Sequence, residues 1–279
     1  MIYLILAIIS STLVSVFIRL GEDHVQNEMG MLLVNYIICS ICAVVCSNTE
    51  ISTAIAASGV FDVGLGVFCG VLYLAGLLLM QYNTKHNGVV LASTFMKLGV
   101  LIPTLMAIVI FREIPKATQV IGFILAIFAI VMIHFEKDAL KEGNKKIWLL
   151  VLLLCGGITD SLANIFEQFG NPAAKDVYLF MIFFTAGVLA LVFVLKNKKG
   201  LSKKDVLLGI LLGVPNYFSS RFLLLSLSSM KAVLVYPTFS VGTMVVITLV
   251  GIFGFKEKID RKKITALGLI VLALALLNI

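Results

Sequence analysis

Residues 60–82, VFDVGLGVFCGVLYLAGLLLMQY, decide the fold, because residues 204–227, KDVLLGILLGVPNYFSSRFLLLSL, repeat their opening. Each stretch exceeds the roughly 20 residues a helix needs to cross the hydrocarbon of a bilayer. Gly66 and Gly70 stand near the start of the first, and Gly209 and Gly213 stand at the like place in the second, 143 residues on. The register continues at an offset of 144, with Phe95 against Phe239 and Phe111-Arg112-Glu113 against Phe255-Lys256-Glu257. Gly122 and Gly268 fall at like positions once two extra residues in the 258–263 loop are allowed. Phe17 and Gly21 match Phe166 and Gly170 more loosely.

Outward from this pair, apolar stretches fill the 279-residue chain near 2–20, 29–47, 60–82, 88–111, 116–134, 146–166, 176–195, 204–227, 231–255 and 262–278. The last five repeat the first five, and an odd number of crossings per half inserts the second copy upside down relative to the first. The expected fold is an all-α integral membrane protein with ten transmembrane helices in two inverted five-helix repeats. Residues 1–136 form the first repeat, 137–145 a polar linker and 146–279 the second repeat.

Composition agrees, with 60% apolar residues, 13% charged residues and a mean hydropathy of +1.09. A soluble domain is about half apolar and a quarter charged. No stretch remains for a water-soluble catalytic or nucleic-acid-binding domain, so the net charge of +7 belongs to basic loops beside anionic headgroups rather than to nucleic acid. The first ten residues lack a basic n-region and a cleavage site, and the first apolar run is expected to stay as a span.

Of the 22 Lys and Arg residues, Lys97 and Arg221 lie within spans. Arg112, Lys116, Lys175 and Lys231 follow even-numbered spans, and the other sixteen follow odd-numbered ones. The positive-inside rule then places both termini outside.

The small-xxx-small glycine pairs predict close helix packing. Pro103, Pro215 and Pro237 lie inside spans and are expected to bend or interrupt them. Cys39, Cys42, Cys46, Cys69 and Cys155 all fall inside spans and read as packing residues. The three on the second span have no histidine in the same run, so no metal or cofactor is expected. No G-x-x-x-x-G-K-[ST], H-E-x-x-H or G-x-S-x-G sequence occurs, and His24, His86 and His134 are far apart, so an enzyme is not expected.

A charge near the bilayer centre costs at least about 2.5 to 3.5 kcal/mol, so it faces a cavity or a partner. Lys97, Asp160 and Arg221 are such charges. Lys97 or Arg221 suits an anionic or zwitterionic substrate, and Asp160 suits a coupling proton or a substrate amine. The competing reading is an internal Lys97–Asp160 or Arg221–Asp160 pair that locks helices together. Two deep cations against one deep acid favour a cargo with a carboxylate or phosphate. Asn35, Tyr73, Thr94, Asn164, Asn216, Tyr217 and Tyr236 complete the expected lining, each with helix-to-helix hydrogen bonding as its structural alternative.

The glycine-bearing third span, the fourth span ending Phe111-Arg112-Glu113, the Gln119-Val120-Ile121-Gly122 opening of the fifth and the parallel Ala266-Leu267-Gly268 in the tenth together resemble the drug/metabolite transporter superfamily, in its ten-helix EamA-like branch. The resemblance covers essentially the whole chain. It implies a multi-pass carrier in the cell membrane that moves a small metabolite by alternating access, with a possible coupling proton or ion. It also implies cytoplasmic termini, opposite to the lysine count. A membrane-embedded enzyme or a lipid-handling scaffold without a transport cycle is the alternative.

Overall fold

A computed structural model describes residues 1–21, 24–47, 51–87, 89–134, 147–197, 200–254 and 261–278. The expected linker 137–145, Phe255-Lys256-Glu257 and the side chain of Thr94 lie outside the described residues. The described elements are all helical, namely α1 (Ile2–Gly21), α2 (Glu28–Val45), α3 (Ile51–Ala57), α4 (Val60–Asn87), α5 (Val89–Leu98), α6 (Leu101–Val109), α7 (Ala117–His134), α8 (Ile147–Phe169), a 3-10 turn (Pro172–Ala174), α9 (Lys175–Asn197), α10 (Lys203–Leu227), α11 (Ala232–Phe253) and α12 (Arg261–Asn278). Among the described residues seven helices, α1, α2, α4, α8, α9 with its leading turn, α10 and α11, are long and apolar enough to cross a membrane. The molecule is a multi-pass membrane protein, since a helix satisfies its own backbone polar groups in lipid.

The chain divides into two compact units, one of residues 1–74 and 162–228 and the other of residues 75–161 and 229–279. In the first unit α1 packs on α10, α10 on α2 and α2 on α9. The glycine pairs set two of its closest approaches. A Cβ on Gly66 would stand 3.0 Å from the Tyr178 carbonyl oxygen, and one on Gly70 would stand 2.5 Å from that of Ile182. On α10, a Cβ at Gly209 would meet the Met31 carbonyl oxygen at 2.7 Å and one at Gly213 that of Asn35 at 2.9 Å. In both cases two carbonyls four residues apart on the facing helix meet two glycines four residues apart, which is why only glycine fits there.

These contacts predict that Gly70→Ala lowers unfolding stability in detergent by about 1 to 3 kcal/mol, the usual cost of overpacking. Gly64→Ala on the same helix meets nothing within 4 Å. It should be neutral or gain up to about 1 kcal/mol from helix propensity. Equal effects at the two positions would refute the close approach.

In the second unit α7 packs on α12, and α11 packs on α6 and α12, around Ala126, Ala129, Ile130, Val241, Met244 and Ala273. Gly122 sits against α12, where a Cβ would lie 2.9 Å from the Ala273 carbonyl oxygen, whereas Gly268 has nothing within 4 Å. Their matching sequence positions do not extend to matching contacts.

The expected span 88–111, with Pro103 inside it, is two helices, α5 and α6. Pro103 supplies no N–H for the Gly99 carbonyl, which instead accepts from Ile102 N–H at 3.0 Å in a tighter turn. The break therefore falls at 99–100, upstream of the proline. Gly99 also lets α8 approach, since a Cβ on Gly157 would lie 2.6 Å from the Gly99 carbonyl oxygen. Pro215 and Pro237 remain inside continuous helices.

Candidate functional site

Lys97, Asp160 and Tyr236 come together in the second unit, beside the Gly99–Gly157 crossing. Lys97 occupies the last turn of α5, where helix-end carbonyls favour a cation. Asp160 lies one turn beyond Gly157 on α8, and the two charges are within electrostatic reach of each other. They form no ion pair with each other, unlike Lys175 with Glu167 and Arg221 with Asp176. Lys97 is half-buried and Asp160 is exposed. An exposed carboxylate inside an apolar helix is tolerable only where it meets water or a ligand. Tyr236 is buried and its hydroxyl donates to the Asp160 backbone carbonyl at 2.6 Å, which fixes α11 against α8 and leaves the Asp160 carboxylate available. Opposite charges held apart in this way can accept a carboxylate at Lys97 and an ammonium at Asp160.

The remaining described candidates belong to the first unit, where α10 presents Asn216, Tyr217, Ser220 and Arg221. Asn216 Nδ2 donates to Asn35 Oδ1 at 3.1 Å, which gives the carbonyl oxygen of the buried Asn35 side chain a partner. Tyr73 and Ser220 share a hydrogen bond at 3.3 Å. Cys39 Sγ donates to the Gly213 carbonyl at 3.2 Å, a packing role. Asn164 is 2% exposed, and its Nδ2 has no hydrogen-bond partner among the described residues.

Arg221 pairs with an acid other than the Asp160 of the competing reading. Its Nη1 donates to Asp176 Oδ1 at 3.0 Å and to the Tyr217 hydroxyl, while Ser47 Oγ donates to the second Asp176 oxygen at 3.0 Å. Its acid is therefore Asp176, at the start of α9, and Asp160 belongs to the second unit.

Three other acids were not among the residues expected to line a site. Asp62 Oδ2 accepts from Gly59 N–H and its Oδ1 from Asn171 N–H; Asp205 Oδ2 accepts from Ser202 N–H and its Oδ1 from Gln26 N–H. Each acid holds its own helix start and a neighbouring loop. Their spacing of 143, identical to that of the glycines, was the available signal. The third, Glu113, accepts from Ala232 N–H at 3.1 Å and Val233 N–H at 2.8 Å.

Residues 177–270, from α9 into α12, match the family model of the Small Multidrug Resistance protein. An uncharacterized protein of Haemophilus influenzae is 25% identical over 206 residues, 72% of this chain and 69% of that protein. A solved crystal structure superposes with a TM-score of 0.79 over 99% of this chain and 98% of its own, at 12% identity, a likeness of fold alone.

Proposed function

We propose that this chain is a secondary carrier in the cell membrane that moves a small zwitterionic metabolite, amino-acid-like in charge, by alternating access. The observation that carries the reading is the open Lys97–Asp160 pair, with Asp160 exposed inside an apolar helix. Because Asp176 neutralises Arg221, the surplus positive charge counted in the sequence disappears, and the remaining open charges balance. That moves the preferred cargo from anionic to zwitterionic.

Two further findings support a carrier of the drug/metabolite kind. Residues 177–270 resemble the Small Multidrug Resistance protein. The glycine contacts of α4 with α9 and of α10 with α2 correspond carbonyl for carbonyl, Tyr178 with Met31 and Ile182 with Asn35, as a ten-helix inverted repeat requires. In this reading Asp160 also carries the coupling proton.

Counterflow into proteoliposomes loaded with neutral L-amino acids tests the proposal, with labelled alanine, serine and leucine outside and a dicarboxylate and a quaternary amine as comparisons. Saturable counterflow of a zwitterion is expected. Counterflow of the dicarboxylate or amine alone overturns the cargo assignment. A chemically altered product points to a membrane-embedded enzyme, and the absence of any flux points to a lipid-handling scaffold.

A further inference from the structure

α11 has no side-chain cap of its own. Lys231 stands at its N-cap position and makes no capping hydrogen bond. The first two amides of the helix instead meet the Glu113 carboxylate, one on each oxygen, and both residues that own those amides are buried. A carboxylate at a helix start satisfies amides that the helix itself cannot, and it lies at the positive end of the helix dipole.

Glu113 is itself aimed by the backbone that leaves α6. Phe111 N–H returns to the Met106 carbonyl, Glu113 N–H returns to the Ala107 carbonyl, and Arg112 between them has a φ of 53°. A non-glycine residue in the left-handed region is a costly conformation that the surroundings must enforce. The turn thus ties the end of α6, which continues from the Lys97 helix, to the start of α11. One helical turn beyond Ala232 on α11 lies Tyr236, whose hydroxyl holds the Asp160 carbonyl.

We propose that Glu113 is a positioning residue for the Lys97–Asp160 site, a strap that fixes the first turn of α11 and so keeps the Tyr236 hydroxyl on the Asp160 carbonyl. The inference rests on the carrier reading for its consequence in transport, but the strap itself is testable without any substrate.

Fluorine NMR of protein labelled with 3-fluorotyrosine in lipid nanodiscs resolves the question. The chain has seven tyrosines, and the resonance that vanishes in Tyr236→Phe is that of Tyr236. Glu113→Ala is expected to move or split this resonance by more than its linewidth and leave the other six in place. Glu113→Gln, which keeps one acceptor oxygen on the same stem, should restore most of the original position. If Glu113→Ala collapses all seven resonances together, Glu113→Asp decides, because its stem is one methylene shorter and draws both oxygens back from the two amides: movement of the Tyr236 signal alone supports the strap, and none overturns it. An unmoved Tyr236 resonance in a folded Glu113→Ala protein also overturns it, because a cap that stabilises α11 only locally would leave the ring untouched.

In proteoliposomes, where neutral amino acid counterflow is obtained, Glu113→Ala should raise the half-saturation concentration about tenfold with little change in maximal rate. Added to Tyr236→Phe it should raise it no further. An additive double variant would sink the strap while leaving the carrier intact, and loss of counterflow in the wild type would sink the carrier while leaving the fluorine result standing.

Discussion

Lys97→Ala is expected to lower zwitterion uptake by about a hundredfold while the protein stays folded. A hydrogen bond to a charged group contributes about 1.5 to 3 kcal/mol, and each 1.4 kcal/mol is tenfold in affinity. Asp160→Asn should fall equally far, since the amide cannot balance a substrate ammonium. It should also flatten the pH dependence of the residual uptake, and an unchanged pH profile would remove the coupling role from Asp160.

The stability readout separates this site from a structural lock. Lys97 and Asp160 do not form an ion pair, so removing one leaves no broken bond behind, and unfolding in detergent should move by less than about 1 kcal/mol. A lock predicts the reverse, a loss of about 3 to 5 kcal/mol with uptake per folded molecule unchanged. Measuring both quantities on the same preparations decides between them.

The elements differ in how far they could be read in advance, for physical reasons. Helical spans follow from hydropathy because lipid demands that the backbone satisfy itself. The glycines of the third and eighth spans were legible as close-packing positions, yet their partners were not: small-xxx-small states that a helix approaches, not which one. The structure shows Gly66 and Gly70 on α9 and Gly209 and Gly213 on α2. Likewise Pro103 announced an interruption, but its position at Gly99 depends on Ile102 and Gly157, the second of them more than fifty residues away in the chain.

The site shows the same division. Lys97, Asp160 and Arg221 stood out because charge inside an apolar run is costly. Asp176 did not, because it opens a span, where a carboxylate looks cheap beside headgroups and water. Only the packing of α9 on α2 and the course of α10 reveal that its carboxylate is held by Ser47 and Arg221. Glu113 was visible as part of a repeated exit sequence and carried no hint of the amides it meets. Long-range capping has no local signature, since the capping residue precedes its helix by more than a hundred positions.

The Arg221–Asp176 pair is expected to behave as the lock that Lys97–Asp160 is not. Its side chains are 10% and 14% exposed, and both carry further hydrogen bonds, from Ser47 to Asp176 and from Arg221 to the Tyr217 hydroxyl. Arg221→Met strands the Asp176 carboxylate against an apolar neighbour, and Asp176→Asn strands the guanidinium. Either should cost about 3 to 5 kcal/mol of unfolding stability, the usual penalty for breaking a buried pair from one side. The double replacement Arg221→Met with Asp176→Leu leaves no stranded charge and should recover most of that loss, to within about 1 to 2 kcal/mol of the wild type. Chemical unfolding in detergent measures the cycle, and neutral amino acid counterflow by the double variant measures its meaning. Because Arg221 spends its charge on Asp176, the double variant should retain wild-type affinity per folded molecule. If it loses affinity as steeply as Lys97→Ala, Arg221 belongs to the cargo site, and the balance of charge that favours a zwitterion over an anion reverses.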